Sequence, residues 1–281
     1  MPFFLLGAPR SGTTIIRDVL REHPRLEAPE ETFFYRWSEP FGTLEFSHRY
    51  RADAVIRKHR EMDGISDSEF WQIYEGASSR AQLQNRYMAL YLRKRGNPDG
   101  VWFDKTPQNV FGLFRLTGDF PSAPVFHIHR NPMDVTASIA LGRSVGKQSL
   151  MGAVNIWRES VTAALMAKQV FPDRVYFISL ERFIRQPLEV TKEIFRIVGV
   201  EVPARWLPET RVASDVSRYH QVFTRLEFDF IVRECGWLMG TLGYSTHVAD
   251  YPKLLPVSPS HTFKPWSVHS EGGQVKKAAQ P

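Results

Sequence analysis

The sequence predicts an α/β fold in which a central parallel sheet lies between two layers of helices. Of its 281 residues, 43% are hydrophobic and 23% are charged, which is enough apolar material to bury a sizeable core. Short apolar runs typical of buried strands alternate with segments of helical periodicity up to about residue 200. Because strands that alternate with helices pair in parallel through right-handed crossovers, this pattern predicts a three-layer α/β/α architecture.

The predicted strands are short and apolar or aromatic, and they are residues 3–6, 101–103, 125–129 and 175–179. The predicted helices have apolar positions that recur every three or four residues, and they are residues 13–21, 79–95, 108–116, 131–140, 150–170, 187–198 and 226–242. Asn131 can cap one of these helices, and Pro132 suits its first position. Residues 29–50 are rich in aromatic and turn-forming residues without a regular period, which predicts a long ordered loop.

A single domain is expected over residues 1–270, followed by a flexible polar tail at residues 271–281, because no repeat, low-complexity tract or Pro/Gly linker divides the chain. The only cysteine, Cys235, can neither close an intrachain disulfide nor build a thiolate zinc site, and is interpreted as a core residue. The first residues lack the features of a signal peptide or a membrane span. These features predict a cytoplasmic protein without a transmembrane anchor.

The formal net charge of +6 would suit a polyanionic partner such as nucleic acid, a lipid surface or an anionic cofactor. No Lys/Arg tract with interleaved aromatics is present, so we expect no nucleic-acid partner. His127 and His129 share one face of a predicted strand, but no third ligand accompanies them at a typical spacing. They are interpreted as histidines of the sheet face, not as metal ligands.

The first strand and the first helix are joined by the sequence Gly-Ala-Pro-Arg-Ser-Gly-Thr-Thr, residues 7–14. Gly7 and Gly12 have the separation found in phosphate-binding loops, but Thr13 stands where nucleotide triphosphatases have Lys. In such a loop, backbone N–H groups and the helix N-terminus attract an anion. The side chains that would add donors are Arg10, Ser11, Thr13 and Thr14. The alternative is a turn that only joins strand to helix.

This loop resembles the Pro-Arg-Ser-Gly-Thr-Thr loop that binds the 5′-phosphosulfate in sulfotransferases using 3′-phosphoadenosine 5′-phosphosulfate (PAPS). That family also has a strand ending in Arg and, eight residues later, a helical Ser; the two hold the 3′-phosphate. Arg130 and Ser138 match both residues and their spacing. A helix starting near residue 131 returns to the same face after about two turns, which suits this spacing. The resemblance implies a P-loop NTPase-like sulfotransferase fold with PAPS bound by Arg10, Ser11, Gly12, Thr13, Thr14, Arg130 and Ser138.

Further stretches extend the resemblance, closest to bacterial sulfotransferases and the tyrosylprotein sulfotransferase branch. Glu30-Glu31-Thr32 is similar to the Gly-Glu-Glu-Thr of that branch, which implies Glu31 as the catalytic base, with Glu30 as the alternative. Asp104-Lys105-Thr106-Pro107 is similar to its Lys-containing segment, which implies that Lys105 acts on the bridging and sulfonyl oxygens. Residues 180–187 resemble the Tyr-Glu-Asp-Leu-x-x-x-Pro turn of the family. Residues 235–244 resemble its closing helix, which ends in Leu-Gly-Tyr.

The resemblance implies transfer of the sulfuryl group of PAPS to an acceptor hydroxyl by in-line displacement, without a metal, and with release of 3′-phosphoadenosine 5′-phosphate (PAP). Tyrosine, sugar, lipid and small-alcohol acceptors stay open, as does the oligomeric state. Acceptor choice is expected in residues 32–75 and 141–152, whose aromatics favour an acceptor with an apolar or planar portion.

Two departures from the family pattern accompany the match. Leu180 stands where relatives often have Tyr near the adenine, and the Lys-bearing C-terminal loop over the 3′-phosphate is not recognisable. The candidates for compensating charge are Arg143, Lys147, Arg211 and Arg218. The alternative functions are a P-loop-type nucleotide kinase or NTPase and a catalytically silent protein that binds PAP or PAPS.

Overall fold

A five-stranded parallel sheet forms the centre of the fold, in a computed structural model that describes residues 1–141, 148–203, 217, 219–251 and 254–255. The strands are β1 Phe3–Gly7, β2 Leu26–Glu27, β3 Val101–Lys105, β4 Val125–His129 and β5 Val175–Ser179. They lie in the order β2-β3-β1-β4-β5, and every neighbouring pair is parallel. The predicted parallel sheet is therefore confirmed.

Helices make up most of the remaining regular structure. Those of the described residues are α1 Thr13–Arg21, α2 Leu44–Ala52, α3 Ala54–Met62, α4 Asp67–Glu75, α5 Arg80–Lys94, α6 Leu113–Asp119, α7 Pro132–Ala140, α8 Leu150–Val170, α9 Leu180–Arg185, α10 Pro187–Val198 and α11 Arg225–Thr241. Short 3-10 helices occur at Pro107–Gly112, Tyr219–Gln221 and Val248–Asp250. None of the helices within these ranges combines the length and apolar character needed to cross a membrane.

The two faces of the sheet are covered by separate apolar clusters, because successive side chains of a strand point to opposite faces. On β1, Phe3 and Leu5 belong to a cluster with residues of α1, α9 and α10. Phe4 and Leu6 belong to a second cluster with residues of α2, α4, α5 and α6. This alternation accounts for the predicted three layers.

The predicted loop over residues 29–50 is wrong at its C-terminal end, and two further helices were not predicted. Thr43 caps α2 by accepting the Phe46 N–H at 3.2 Å, and Asp53 caps α3. Ser66 begins α4 with a capping box. These helices are short, and their cap residues are common in turns as well, so aromatic-rich sequence without a clear period concealed them.

Three smaller differences concern β2, the segment after β3 and the helix after β5. β2 has only two residues and therefore no alternation to detect. The helix predicted at 108–116 begins as the 3-10 helix Pro107–Gly112 and becomes α6 at Leu113. The short α9 was also not predicted.

The chain divides into two compact units, which are described separately. The first, Met1–Arg130 with Glu159–Val216, contains the whole sheet. The second, Asn131–Arg158 with Ser217–Pro281, contains α7 and α11. Cys235 is buried in α11, as predicted, and burial raises the pKa of its thiol to about 12. The domain over residues 1–270 stays a prediction, and the tail at 271–281 lies outside the described residues.

Candidate active site

The loop after β1 lies at the carboxyl edge of the sheet, where the strand order reverses. β1 is flanked by β3 on one side and β4 on the other, so the chain crosses β1 between these two strands. In open α/β sheets, ligands bind outside the carboxyl ends of the strands at such a point. The predicted phosphate loop therefore occupies the position that the topology favours for a ligand.

Both glycines of the loop are required by close approaches of other parts of the chain. A Cβ atom on Gly7 would collide with the carbonyl oxygen of Ile128 in β4. Gly12 has φ 89°, and a Cβ there would collide with the side chain of Leu180. Leu180 thus lies directly against the loop.

The loop also carries polar groups that suit an anion. The buried hydroxyl of Ser11 has no hydrogen-bond partner among the described residues. Gly12 provides no side-chain cap for the first turn of α1, whose N–H groups lack intrahelical partners. Buried polar groups are normally hydrogen-bonded, so the Ser11 hydroxyl fits a bound ligand oxygen.

Lys105, Glu31 and Thr14 come together at this edge of the sheet. The Nζ atom of Lys105 donates to Glu31 Oε1 at 2.6 Å and to Thr14 Oγ1 at 3.4 Å. Lys105 ends β3, and only 3% of its side chain is exposed. The structure thus brings three of the predicted site residues into contact from three separate segments of the chain.

Glu30 has different partners from its neighbour. Its carboxylate lies 2.8 Å from Arg17 Nη1 and 3.7 Å from Arg21 Nη1, both on α1. Burial acts to raise the pKa of Glu30, but the charge and hydrogen bond of Arg17, together with the charges of Arg21 and Lys105, leave this pKa below its usual value. Of the two adjacent carboxylates, Glu31 is the one that contacts Lys105.

The backbone around Glu31 is fixed by side chains from other elements. His59 Nδ1 lies 3.1 Å from the Glu31 carbonyl oxygen, to which it donates in its Nδ1–H tautomer. The Thr32 N–H donates to Thr106 Oγ1 at 2.9 Å, and the Thr32 hydroxyl donates to Asp104 at 2.5 Å. Sequence reasoning missed these supports. Asp104 and Thr106 could have been predicted as supports, because they flank Lys105 in the sequence. Nothing in the sequence pattern indicated His59.

Arg130 and Ser138 occupy the elements expected of them. β4 pairs with β1 so that Ile128 lies opposite Gly7, and Arg130 follows two residues later at the same edge of the sheet. Ser138 is half-buried on α7, which belongs to the second unit. Asn131 caps α7 by accepting the Met133 N–H at 2.9 Å, as predicted.

A shared phosphate site for Arg130 and Ser138 stays a prediction. The candidates for compensating charge lie outside the described residues: Arg143, Lys147, Arg211 and Arg218.

The two histidines of β4 are buried in the sheet face. Their rings stack with centroids 6.4 Å apart, and His127 Nε2 lies 3.1 Å from Ser160 Oγ. Burial lowers the pKa of His127 to about 3 and that of His129 to about 4. The part of the chain that the structure describes contains no group of three or more His, Cys, Asp or Glu residues that could hold a metal ion.

Most aromatic residues of the segment 32–75 are part of the core. The buried rings that pack together there are Phe33, Phe34, Tyr35, Phe46, Tyr50 and Phe70. The expectation of an apolar or planar acceptor depended on these rings being available to it. Four other aromatic residues of the segment are only partly buried, and they are Trp37, Phe41, Trp71 and Tyr74. The expectation therefore depends on these four and stays a prediction.

Comparison with known proteins gives matches in sequence. The family model described as "Sulfotransferase family" matches residues 2–204. Nodulation protein NoeE of Sinorhizobium fredii is 32% identical over 136 residues, which are 48% of this chain and 30% of NoeE. An uncharacterized protein of Aquifex aeolicus is 28% identical over 203 residues, 69% of this chain and 25% of that protein. The matches therefore span less than a third of the length of either relative.

Solved sulfotransferase structures share the fold. The sulfotransferase domain of the Synechococcus PCC 7002 olefin synthase has a TM-score of 0.64 at 19% identity, covering 87% of this chain and 95% of that domain. Sulfotransferase STF9 from Mycobacterium avium has a TM-score of 0.56 at 19% identity, covering 87% of this chain and 77% of its own. The match to the family model extends from β1 through α10 and includes the phosphate loop, Glu31, Lys105 and Arg130. The chain belongs to the sulfotransferase family.

Proposed function

We propose that the protein transfers the sulfuryl group of PAPS to a hydroxyl of its acceptor and releases PAP. The observation that carries this proposal is the contact of Lys105 with both Glu31 and Thr14 of the phosphate loop. This contact brings a cation, a carboxylate and a loop suited to an anion next to one another. Sulfuryl transfer needs these three features, because it must activate a hydroxyl and stabilise charge on a leaving phosphate.

The residues at the loop suit the 5′-phosphosulfate of PAPS. The hydroxyl of Ser11 and the uncapped first turn of α1 would donate to its oxygens. Arg10, Gly12, Thr13 and Thr14 complete the proposed site, and Arg130 with Ser138 would hold the 3′-phosphate. PAPS supplies an electrophilic sulfur and a phosphate leaving group.

Glu31 is the proposed general base. Its side chain is 24% exposed, so one carboxylate oxygen can reach an acceptor hydroxyl while the backbone is held by His59 and Thr106. Lys105 donates to Glu31 in the absence of a ligand. An anion that draws the Lys105 ammonium toward the loop would leave Glu31 free to accept the proton of the hydroxyl.

Lys105 is the proposed electrostatic catalyst. Its ammonium is almost fully buried, and charges act more strongly on one another where water is excluded.

In the competing function of a P-loop kinase or NTPase, a Lys would stand at position 13, where this chain has Thr13. The alternative of a silent PAP-binding protein predicts binding without turnover.

Calorimetry with PAP tests the donor assignment. We expect Arg130→Ala to weaken PAP binding by about 10- to 100-fold, because a hydrogen-bonded charge contributes about 1.5–3 kcal/mol. The matched control is Arg196→Ala, which removes an exposed Arg on α10 and should leave the affinity unchanged. Binding and hydrolysis of ATP without binding of PAP would contradict the proposal.

A further inference from the structure

Two stacked rings, His59 and Phe33, lie between the backbone of Glu31 and the half-buried cation Arg36. His59 approaches the Glu31 carbonyl oxygen, and its ring stacks on Phe33 with centroids 5.8 Å apart and planes 13° from parallel. The guanidinium carbon of Arg36 lies 5.6 Å from the centroid of the same Phe33 ring. Arg36 is therefore close to Glu31 in space as well as in sequence.

Arg36 has no anionic partner of its own. Its guanidinium carbon also lies 5.0 Å from the Trp37 ring, and its side chain makes no hydrogen bond or ion pair with any residue that the structure describes. Burial is the largest effect on the pKa of Arg36 and lowers it; the charge of Asp53 opposes burial, Arg49 acts with it, and Glu31 opposes it least. An Arg keeps its charge in proteins, so this half-buried cation is held on aromatic faces alone.

The nearby carboxylates are committed elsewhere. Glu39 accepts from Arg49 Nη2 at 2.7 Å. Asp53 accepts two backbone N–H groups at the start of α3, and Glu31 pairs with Lys105. Charged groups that are removed from water are normally paired, and Arg36 is an exception within electrostatic range of Glu31.

The surrounding surface adds positive charge. The exposed cations of the helices that follow include Arg51 on α2 and Arg57 and Lys58 on α3, and the exposed carboxylates of the same helices are Glu45 and Glu61. An excess of one sign on a surface raises the local concentration of ligands of the opposite sign. This surface therefore favours an anion over the neutral apolar group that the composition suggested.

We propose that the acceptor carries an anionic group, such as a carboxylate, and that Arg36 binds it beside the hydroxyl that Glu31 deprotonates. The inference rests on the proposed sulfuryl transfer and adds the substrate class. Arg36 has a planar guanidinium seated on two rings, so it can present its N–H groups to two oxygens of one anion.

The test uses acceptor pairs that differ only in charge. One pair is 4-nitrophenyl glucuronide and the corresponding glucoside, and another is N-acetyltyrosine and its amide. Transfer from radiolabelled PAPS is measured for the wild type, for Arg36→Gln and for Arg93→Gln, which removes an exposed charge on α5 as the matched control. The readout is the ratio of kcat/KM for the charged and neutral members of a pair.

We expect the wild type and Arg93→Gln to prefer the charged member by about 10-fold or more, and Arg36→Gln to bring the ratio close to one. A ratio of one or below in the wild type, or an unchanged ratio in Arg36→Gln, would overturn the inference. If neither pair is turned over, calorimetry of the PAP-saturated protein with the same compounds decides, and equal binding of both members overturns it. Failure of PAP itself to bind would instead contradict the proposed function.

Discussion

Glu30 and Glu31 show how the fold separates two adjacent carboxylates. Glu30 neutralises Arg17 on α1, and Glu31 contacts Lys105 at the end of β3. The sequence identified the pair and, through the family resemblance, favoured Glu31. Only the fold shows the partners, because they depend on contacts between residues far apart in the chain.

Replacement of Glu30 is expected to affect stability. In Glu30→Gln, the Arg17 side chain, which is 10% exposed, keeps Asp18 Oδ1 at 2.9 Å but loses the charge of its more buried carboxylate partner, so the free energy of unfolding should fall by about 1–3 kcal/mol. Urea denaturation measures this difference. Glu189→Gln is the control, because Glu189 is 65% exposed in an ion pair with Lys192 and should change stability by less than about 0.5 kcal/mol. Equal stabilities of the two variants would show that the Arg17 pair contributes nothing.

At the scale of elements, the best sequence predictions concern segments with strong local signals. The bounds of α1, α8, α10, β4 and β5 agree with the pattern of apolar residues. The helices α2, α3 and α4 escaped prediction because aromatic residues at irregular spacing fill a core that they share with α5 and α6. Their packing is set by tertiary contacts, which local periodicity does not encode.

The strand β4 is expected to make the protein sensitive to acid. The pKa values of His127 and His129 are lowered by burial, to about 3 and about 4 from the ordinary 6.5. Between about pH 6.5 and pH 4 the unfolded chain binds protons at these histidines and the folded chain does not, so stability falls as the pH falls. The expected slope is about 1.4 kcal/mol per pH unit for each histidine.

Denaturation at several pH values across this window measures the slope. His129→Gln should make it shallower than in the wild type, whereas His48→Gln, at an exposed position on α2, should leave it unchanged. A slope that is the same in all three proteins would show that the β4 histidines do not control acid stability.

At the scale of the whole chain, the sequence predicted the site from motifs, and the sheet brings several of these motifs to one edge. The phosphate loop follows β1, and Lys105 ends the neighbouring strand β3. Glu31 reaches Lys105 across 74 residues of sequence. The proposed role of Arg36 in binding an anionic acceptor could not be predicted, because composition does not show which aromatic rings are buried and which cations are exposed.

The most direct test of the account is sulfuryl transfer from radiolabelled PAPS by the wild type and by Glu31→Gln on one panel of hydroxyl acceptors, charged and neutral. We expect a labelled acceptor with the wild type. In Glu31→Gln we expect PAP affinity to be retained and the rate to fall by at least about 100-fold, since a general base contributes about 10²- to 10⁴-fold. An undiminished rate in Glu31→Gln, or label that never leaves PAPS in the wild type, would contradict it.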